Sequence, residues 1–135
     1  MHPLLDEYAT YHRDPRNRMM HEIGIPLIVL GIAALMRLAH AGPIDLALVA
    51  ILAVCIYYAR LVGTLAVPAI LGLIAIYVLA GFVAWPWAIV AFLVGWIFQF
   101  VGHAYEGKKP AFLTNLLHLL VGPLWIGVIL THKHA

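Results

Sequence analysis

Eight histidines stand in a 135-residue chain that is 64% hydrophobic and only 10% charged. His2, His132 and His134 lie in the terminal segments and His40 beside Gly42-Pro43, where solvation accounts for them. His12, His21, His103 and His118 flank or enter long apolar runs. Neutral imidazole binds iron, zinc, copper or nickel, and a carboxylate adds charge compensation. His103 and Glu106 are three apart, so a continuing helix sets them on one face, the kind of pair that metal sites in helical bundles use. His12 and His21 are nine apart, which on one straight helix places them on opposite faces. Between them Asp14-Pro15 reads as the cap and first turn of a new helix, and this removes the objection. Several histidines, one glutamate and open positions suit a non-haem Fe(II) oxygen-activating centre better than a closed structural zinc site. The plain alternative for each of the four is a buried histidine that only hydrogen-bonds a helix carbonyl.

Asn17 is one turn before His21, Gln99 one turn before His103, and Asn115 three residues before His118. Asn17 and Gln99 are placed to fix an imidazole's orientation or to touch a substrate. Arg13, Arg16 and Arg18, with Lys108 and Lys109, read first as topology determinants; the alternative is that one or two of them grip an anionic head group at the interface. Tyr11, Tyr58 and Tyr105 read most simply as interfacial anchors. Cys55 is the one cysteine, so no intrachain disulfide forms.

The elements that must carry these side chains are membrane helices. Soluble domains carry about a quarter charged residues, and with a mean hydropathy of +0.98 the chain's solvent must be lipid. Apolar spans fall at roughly 24–40, 44–60, 64–82, 85–104 and 111–130, each near the ~20 residues that cross ~30 Å of hydrocarbon. The 44–82 region is the least regular, since its two spans could be tilted or shallow. Leu4, Leu5, Tyr8, Tyr11 and His12 fall at helical spacing ahead of them and suggest a short interfacial helix. The acidic start of the chain lacks the pattern of a cleavable signal, so the first span is expected to serve as the insertion signal. The expected fold is therefore all-α: one polytopic membrane helical bundle over residues 1–135, with about five spans plus the N-terminal interfacial helix. Short connections imply antiparallel neighbours, and Gly31, Gly63, Gly72, Gly81, Gly95 and Gly127 read as close-packing positions.

With five spans, Arg13, Arg16, Arg18, Arg60, Lys108 and Lys109 fall on one side, and Arg37 and Lys133 on the other. The basic excess puts the N-terminus in the cytoplasm. The same topology gathers the start of span one, the end of span four and the start of span five, and with them His12, His21, His103 and His118. That convergence is independent of the basic residues used to orient the chain. The net charge of +2 gives no reason to expect a nucleic-acid partner.

Two stretches carry a resemblance. Tyr11-His12, Asn17, His21, Gly24 and Pro26 read Y-H-x4-N-x3-H-x2-G-x-P, and Gln99, Gly102-His103, Glu106 and Pro110-Ala111 read Q-x2-G-H-x2-E-x3-P-A. Together they resemble the membrane family of 2-hydroxy fatty acid dioxygenases first known from fungal fatty-acid alpha-oxidation. The resemblance implies an Fe(2+) enzyme that takes a 2-hydroxy long-chain fatty acid from the bilayer and O2 to a fatty acid one carbon shorter, releasing CO2. It implies iron binding at His12, His21 and His103, with Glu106 added, while His118 rests mainly on the topology. Tyr11, within the first motif, is carried with Glu106 as a catalytic candidate, and Arg13, Arg16, Arg18, Asn17 and Gln99 as substrate-binding candidates. The setting would be a bacterial inner membrane or an endoplasmic reticulum, with a homo-oligomer allowed.

Two other readings stand beside it. A lipid hydroxylase or desaturase would use short HxxH-type clusters, which this chain lacks. A small metal or proton transporter would spread polar groups through the whole membrane depth, whereas spans two and three are nearly bare of them.

Overall fold

The structure, a computed structural model, describes residues 3–10, 12–107 and 118–131. It is an all-α bundle of six helices with one two-residue β-ladder among the described residues. α1 (Pro3–Thr10) stops short of the expected break, and α2 (Pro15–Met36) begins at Pro15. Asp14 is the N-cap, its carboxylate accepting the Arg16 N–H at 2.8 Å. That satisfies one of the donors a helix start leaves open.

α2 pairs along its length with α5 (Trp85–Glu106). The pair is antiparallel with a seven-residue repeat: Asn17 faces Gly102, Gly24 faces Gly95 and Gly31 faces Ala88. A Cβ added at Gly31 would stand 2.5 Å from the Ala88 carbonyl oxygen, and one at Gly95 would stand 2.7 Å from that of Gly24. Only hydrogen fits there, so the two backbones approach closely, as small residues permit between membrane helices. Not every glycine expected to pack does so. Gly72 faces open space, and Gly63, at φ 60°, is a turn residue.

After α2 a tight turn through Gly42 (φ 62°) pairs β1 (His40–Ala41) with β2 (Ile44–Asp45). Asp45 then caps α3 (Leu46–Val62) by accepting the Leu48 N–H at 2.8 Å. A 3-10 turn at Gly63–Ala66 returns the chain as α4 (Val67–Ala80). The Tyr77 hydroxyl donates to Asp45 at 2.7 Å, so the end of α4 lies at the start of α3 and the two form an antiparallel hairpin. Arg37 joins them, with Nε 3.6 Å from the Asp45 carboxylate and Nη1 donating to the Tyr77 carbonyl at 2.9 Å. α6 (His118–Thr131) completes the bundle.

Among the described residues three helical stretches are long and apolar enough to cross a membrane: Pro15–Met36, Leu46–Ala80 and Trp85–Glu106. The expected count of about five spans is not confirmed by these lengths. Leu46–Ala80 is α3 and α4 taken together, broken at Gly63, and the 14 residues of α4 rise only about 21 Å against ~30 Å of hydrocarbon. Large apolar side chains nevertheless face outward on every one of these stretches, Leu52, Ile56, Leu71, Val78, Leu93 and Ile97 among them. A continuous apolar exterior around helices whose backbone bonds are internally satisfied is the surface of a membrane protein.

Two expectations for aromatic and interfacial positions change. Tyr58 is buried in the main core rather than anchored at an interface, because α6 covers it. α1 likewise buries Leu5 and Tyr8 against protein, with the Tyr8 and Trp125 rings 5.2 Å apart. Trp85 and Trp87 lie exposed at the start of α5.

Candidate metal centre

At the end of the bundle where α2 begins and α5 ends, three imidazoles meet. His12 follows α1, and its N–H closes the last turn on the Ala9 carbonyl at 3.1 Å. Its Nδ1 donates to the Tyr8 carbonyl at 2.7 Å, and its ring stacks on the Tyr8 ring at 4.1 Å and 14°. On α2, His21 makes the same bond one turn back, with Nδ1 donating to the Asn17 carbonyl at 3.0 Å. A carbonyl oxygen can only accept, so both Nδ1 atoms carry the proton and both Nε2 atoms keep a lone pair. His103 arrives from α5 because the small-residue seam seats Gly102 directly against Asn17.

The ring centroids of His12 are 4.2 Å from His21 and 4.9 Å from His103, and those of His21 and His103 are 4.8 Å apart. One ring nitrogen from each lies within 4.8 Å of the others, and all three residues are buried. A first-row ion with bonds of about 2.1 Å spans nitrogens up to about 4.2 Å apart, so at most a small inward turn of the rings is needed. The donor set fits such an ion. His103 Nδ1 is buried with no hydrogen-bond partner among the described residues, an arrangement costly unless something fills the position. Three neutral imidazoles suit iron, zinc or copper and leave further positions open.

Glu106 stands three residues beyond His103 but outside this group of nitrogens. Its Oε1 accepts the Asp14 N–H at 2.8 Å and the Asn17 side-chain amide at 3.1 Å. The glutamate thus ties the end of α5 to the start of α2 and, through Asn17, to the residue whose carbonyl orients His21.

The three arginines part company. Arg18 donates Nε to the His12 carbonyl at 2.6 Å and lays its guanidinium 5.6 Å from the Trp125 ring. Arg16 pairs with Asp14 at 3.0 Å and covers the exposed Tyr105 ring at 4.3 Å. That pairing and the Arg16 N–H hold the Asp14 carboxyl below the usual carboxylate range. Arg13 is exposed. Gln99 is buried one turn before His103, beside Gly24, and its Nε2 has no hydrogen-bond partner among the described residues. Tyr11 lies outside the described residues, and His118 is described only as the first backbone position of α6.

Sequence reasoning missed Tyr8 and Trp125. Trp125 is fully buried, with its ring 5.0 Å from that of His12, and with Tyr8 it closes one side of the centre. Their signals were present: Tyr8 is one turn before His12, and Trp125 is two turns after His118. Burial, with Tyr58 adding to it, pushes the Tyr8 phenol far above its ordinary range, so it stays protonated.

The family described as 2-hydroxy-palmitic acid dioxygenase Mpo1-like matches residues 2–134. The chain belongs to this family. An Mpo1-like protein of Saccharomyces cerevisiae, 2-hydroxy-palmitic acid dioxygenase MPO1, is 34% identical over 120 residues, covering 84% of this chain and 69% of the yeast protein. No solved structure matches. The three buried histidines are therefore those of an Mpo1-like chain, and the two motifs that carry the resemblance supply all three.

Proposed function

We propose that this Mpo1-like protein is an Fe(II)-dependent dioxygenase that oxidatively decarboxylates a 2-hydroxy fatty acid drawn from the membrane. A 2-hydroxy acid and O2 give the fatty acid one carbon shorter, CO2 and water, with no other reductant needed. The observation that carries the reading is the trio of buried imidazoles, two with fixed Nδ1–H tautomers, in a chain of a dioxygenase family. His12, His21 and His103 would hold the iron, which when bound supplies a Lewis acid for the hydroxy acid and the redox partner for O2.

The chain's own part is placement. The Tyr8 and Asn17 carbonyls keep the His12 and His21 rings turned with Nε2 toward the centre. Trp125 and the protonated Tyr8 shield one side from water. Arg18 is the arginine best placed for the substrate carboxylate, since its guanidinium is already anchored to the His12 segment. Glu106 acts as a positioning residue, holding the two ends of the site together. The N-terminus and the centre sit on the cytoplasmic side, from the basic residues around them.

The test is conversion of 2-hydroxypalmitic acid by purified, iron-loaded protein. The shortened acid should form only with O2, vanish on chelation and return with Fe(II). No shortening by iron-loaded protein would overturn the reading.

A further inference from the structure

A cavity of about 200 Å³ lies between α2, α3, α4 and α6 and extends to the end of the bundle away from the histidines, at Met36 and Ala47. Its lining is almost wholly apolar. Val29, Ala33 and Met36 of α2 and Ala47, Ala50 and Val54 of α3 line it, with alanines on both walls. Its near end abuts the packed cluster beside the histidines. His21, Ile25, Val29, Ile32 and Met36 recur every three or four residues and so fall on one stripe of α2, which leads from the histidines into the cavity. At the near end Tyr58 lines the cavity and shares a buried cluster with Tyr8, Ile25 and Trp125, and the Tyr8 and Trp125 rings flank His12. The stripe from His21 to Met36 is about 22 Å long, similar to the extended length of a long acyl chain.

We infer that this cavity is the acyl-chain site of the enzyme, with the carboxylate end at the histidines and the methyl end between Met36, Ala47 and Ala50. The inference rests on the dioxygenase reading for the identity of the head group. An acyl chain is apolar throughout, long enough to follow the stripe and attached to the group the histidines would meet. The small residues of α3 then set how far the chain reaches. Ala50→Phe shortens the site, and Met36→Ala lengthens it.

The test has two arms on the full-length, iron-loaded protein. In the first, 2-hydroxy acids of increasing chain length are compared by kcat/KM. Burying one methylene is worth about fourfold in affinity, so Ala50→Phe, which excludes several, should lower the long-to-short ratio by more than about tenfold. Met36→Ala should move it the other way, with iron content unchanged in both. In the second arm, 2-hydroxypalmitic acid carrying a photoreactive group at its methyl end is crosslinked and the adduct mapped. Adducts on Met36 or on residues 47–51 are expected. The crosslink reads the cavity even without turnover, so adducts there from a protein that shortens no acid would sink the dioxygenase reading alone. Turnover with an unmoved length profile and adducts on the outer faces of α3 or α5 would overturn the cavity assignment alone. Should Ala50→Phe fail to fold, Met36→Ala and the mapping still decide.

Discussion

Oε1 of Glu106, at the end of α5, accepts the backbone N–H of Asp14 at 2.8 Å, across ninety-two positions of sequence. The same oxygen takes the Asn17 amide at 3.1 Å. One atom therefore joins the segment that carries His12, the turn of helix that orients His21 and the helix that carries His103.

Glu106→Ala removes both bonds from a half-buried position and should cost about 1–3 kcal/mol and weaken metal retention. Glu106→Gln keeps a carbonyl oxygen for both donors and should retain fold, metal and most activity. Thermal unfolding in detergent with elemental analysis reads the first two. Full loss of turnover in a stable, iron-loaded Glu106→Gln protein would show instead that the carboxylate takes a direct part in the chemistry.

The α2–α5 seam sets the height at which His21 and His103 meet. A Cβ at Gly95 would stand 2.6 Å from Ile28 Cγ1 and 2.7 Å from the Gly24 carbonyl oxygen, so Gly95→Ala should destabilise by about 1–3 kcal/mol and lower iron content as well. Gly72→Ala, facing open space, should change neither. Equal behaviour of the two in unfolding and metal assays would contradict the seam.

Much of the centre was legible beforehand, and its limits have physical causes. Helical spacing and span order brought His12, His21 and His103 to one depth, and Asp14-Pro15 marked the break that lets two of them converge. Spacing also put Glu106 on the His103 face, but a face does not name a partner, and the Asp14 N–H across the bundle was invisible. Tyr58 read as interfacial because its place at a span end is local information, whereas its burial comes from α6, far along the chain. The span count rests on local information of the same kind. Hydropathy sees apolar runs, while Gly63 and the shortness of α4 decide what each run can cross.

Arg18 should act on substrate capture rather than on the metal. Arg18→Ala is expected to raise KM about tenfold or more, the loss of one charge-assisted contact, with iron content held. Arg13→Ala, at an exposed position, should leave KM within about twofold. Steady-state kinetics on the two variants separates them, and an unchanged KM in Arg18→Ala would remove it from the substrate site.

At the other end of the bundle, burial works to raise the Asp45 carboxyl, but the Tyr77 hydroxyl, the Leu48 N–H and Arg37 outweigh it and hold its pKa below the ordinary value. A depressed folded pKa contributes stability that is fully present above the unfolded value of about 3.9 and is lost as pH falls through the folded one. The melting temperature should therefore drop below about pH 4. Asp45→Asn should flatten that drop in part, since Asp14 shares its sign, and should lower the neutral-pH melting temperature by several degrees. Identical acid limbs in variant and wild type would contradict the assignment.

The most direct test of the central claim is the iron content of detergent-purified wild type beside His103→Ala and His40→Ala, by elemental analysis after anaerobic Fe(II) loading. His103 reaches the buried trio and His40 lies exposed in the β-turn. About one iron per chain in wild type and His40→Ala, and almost none in a folded His103→Ala, is the expected result for one three-histidine centre. Equal iron in wild type and His103→Ala, or none in any of the three, would contradict it.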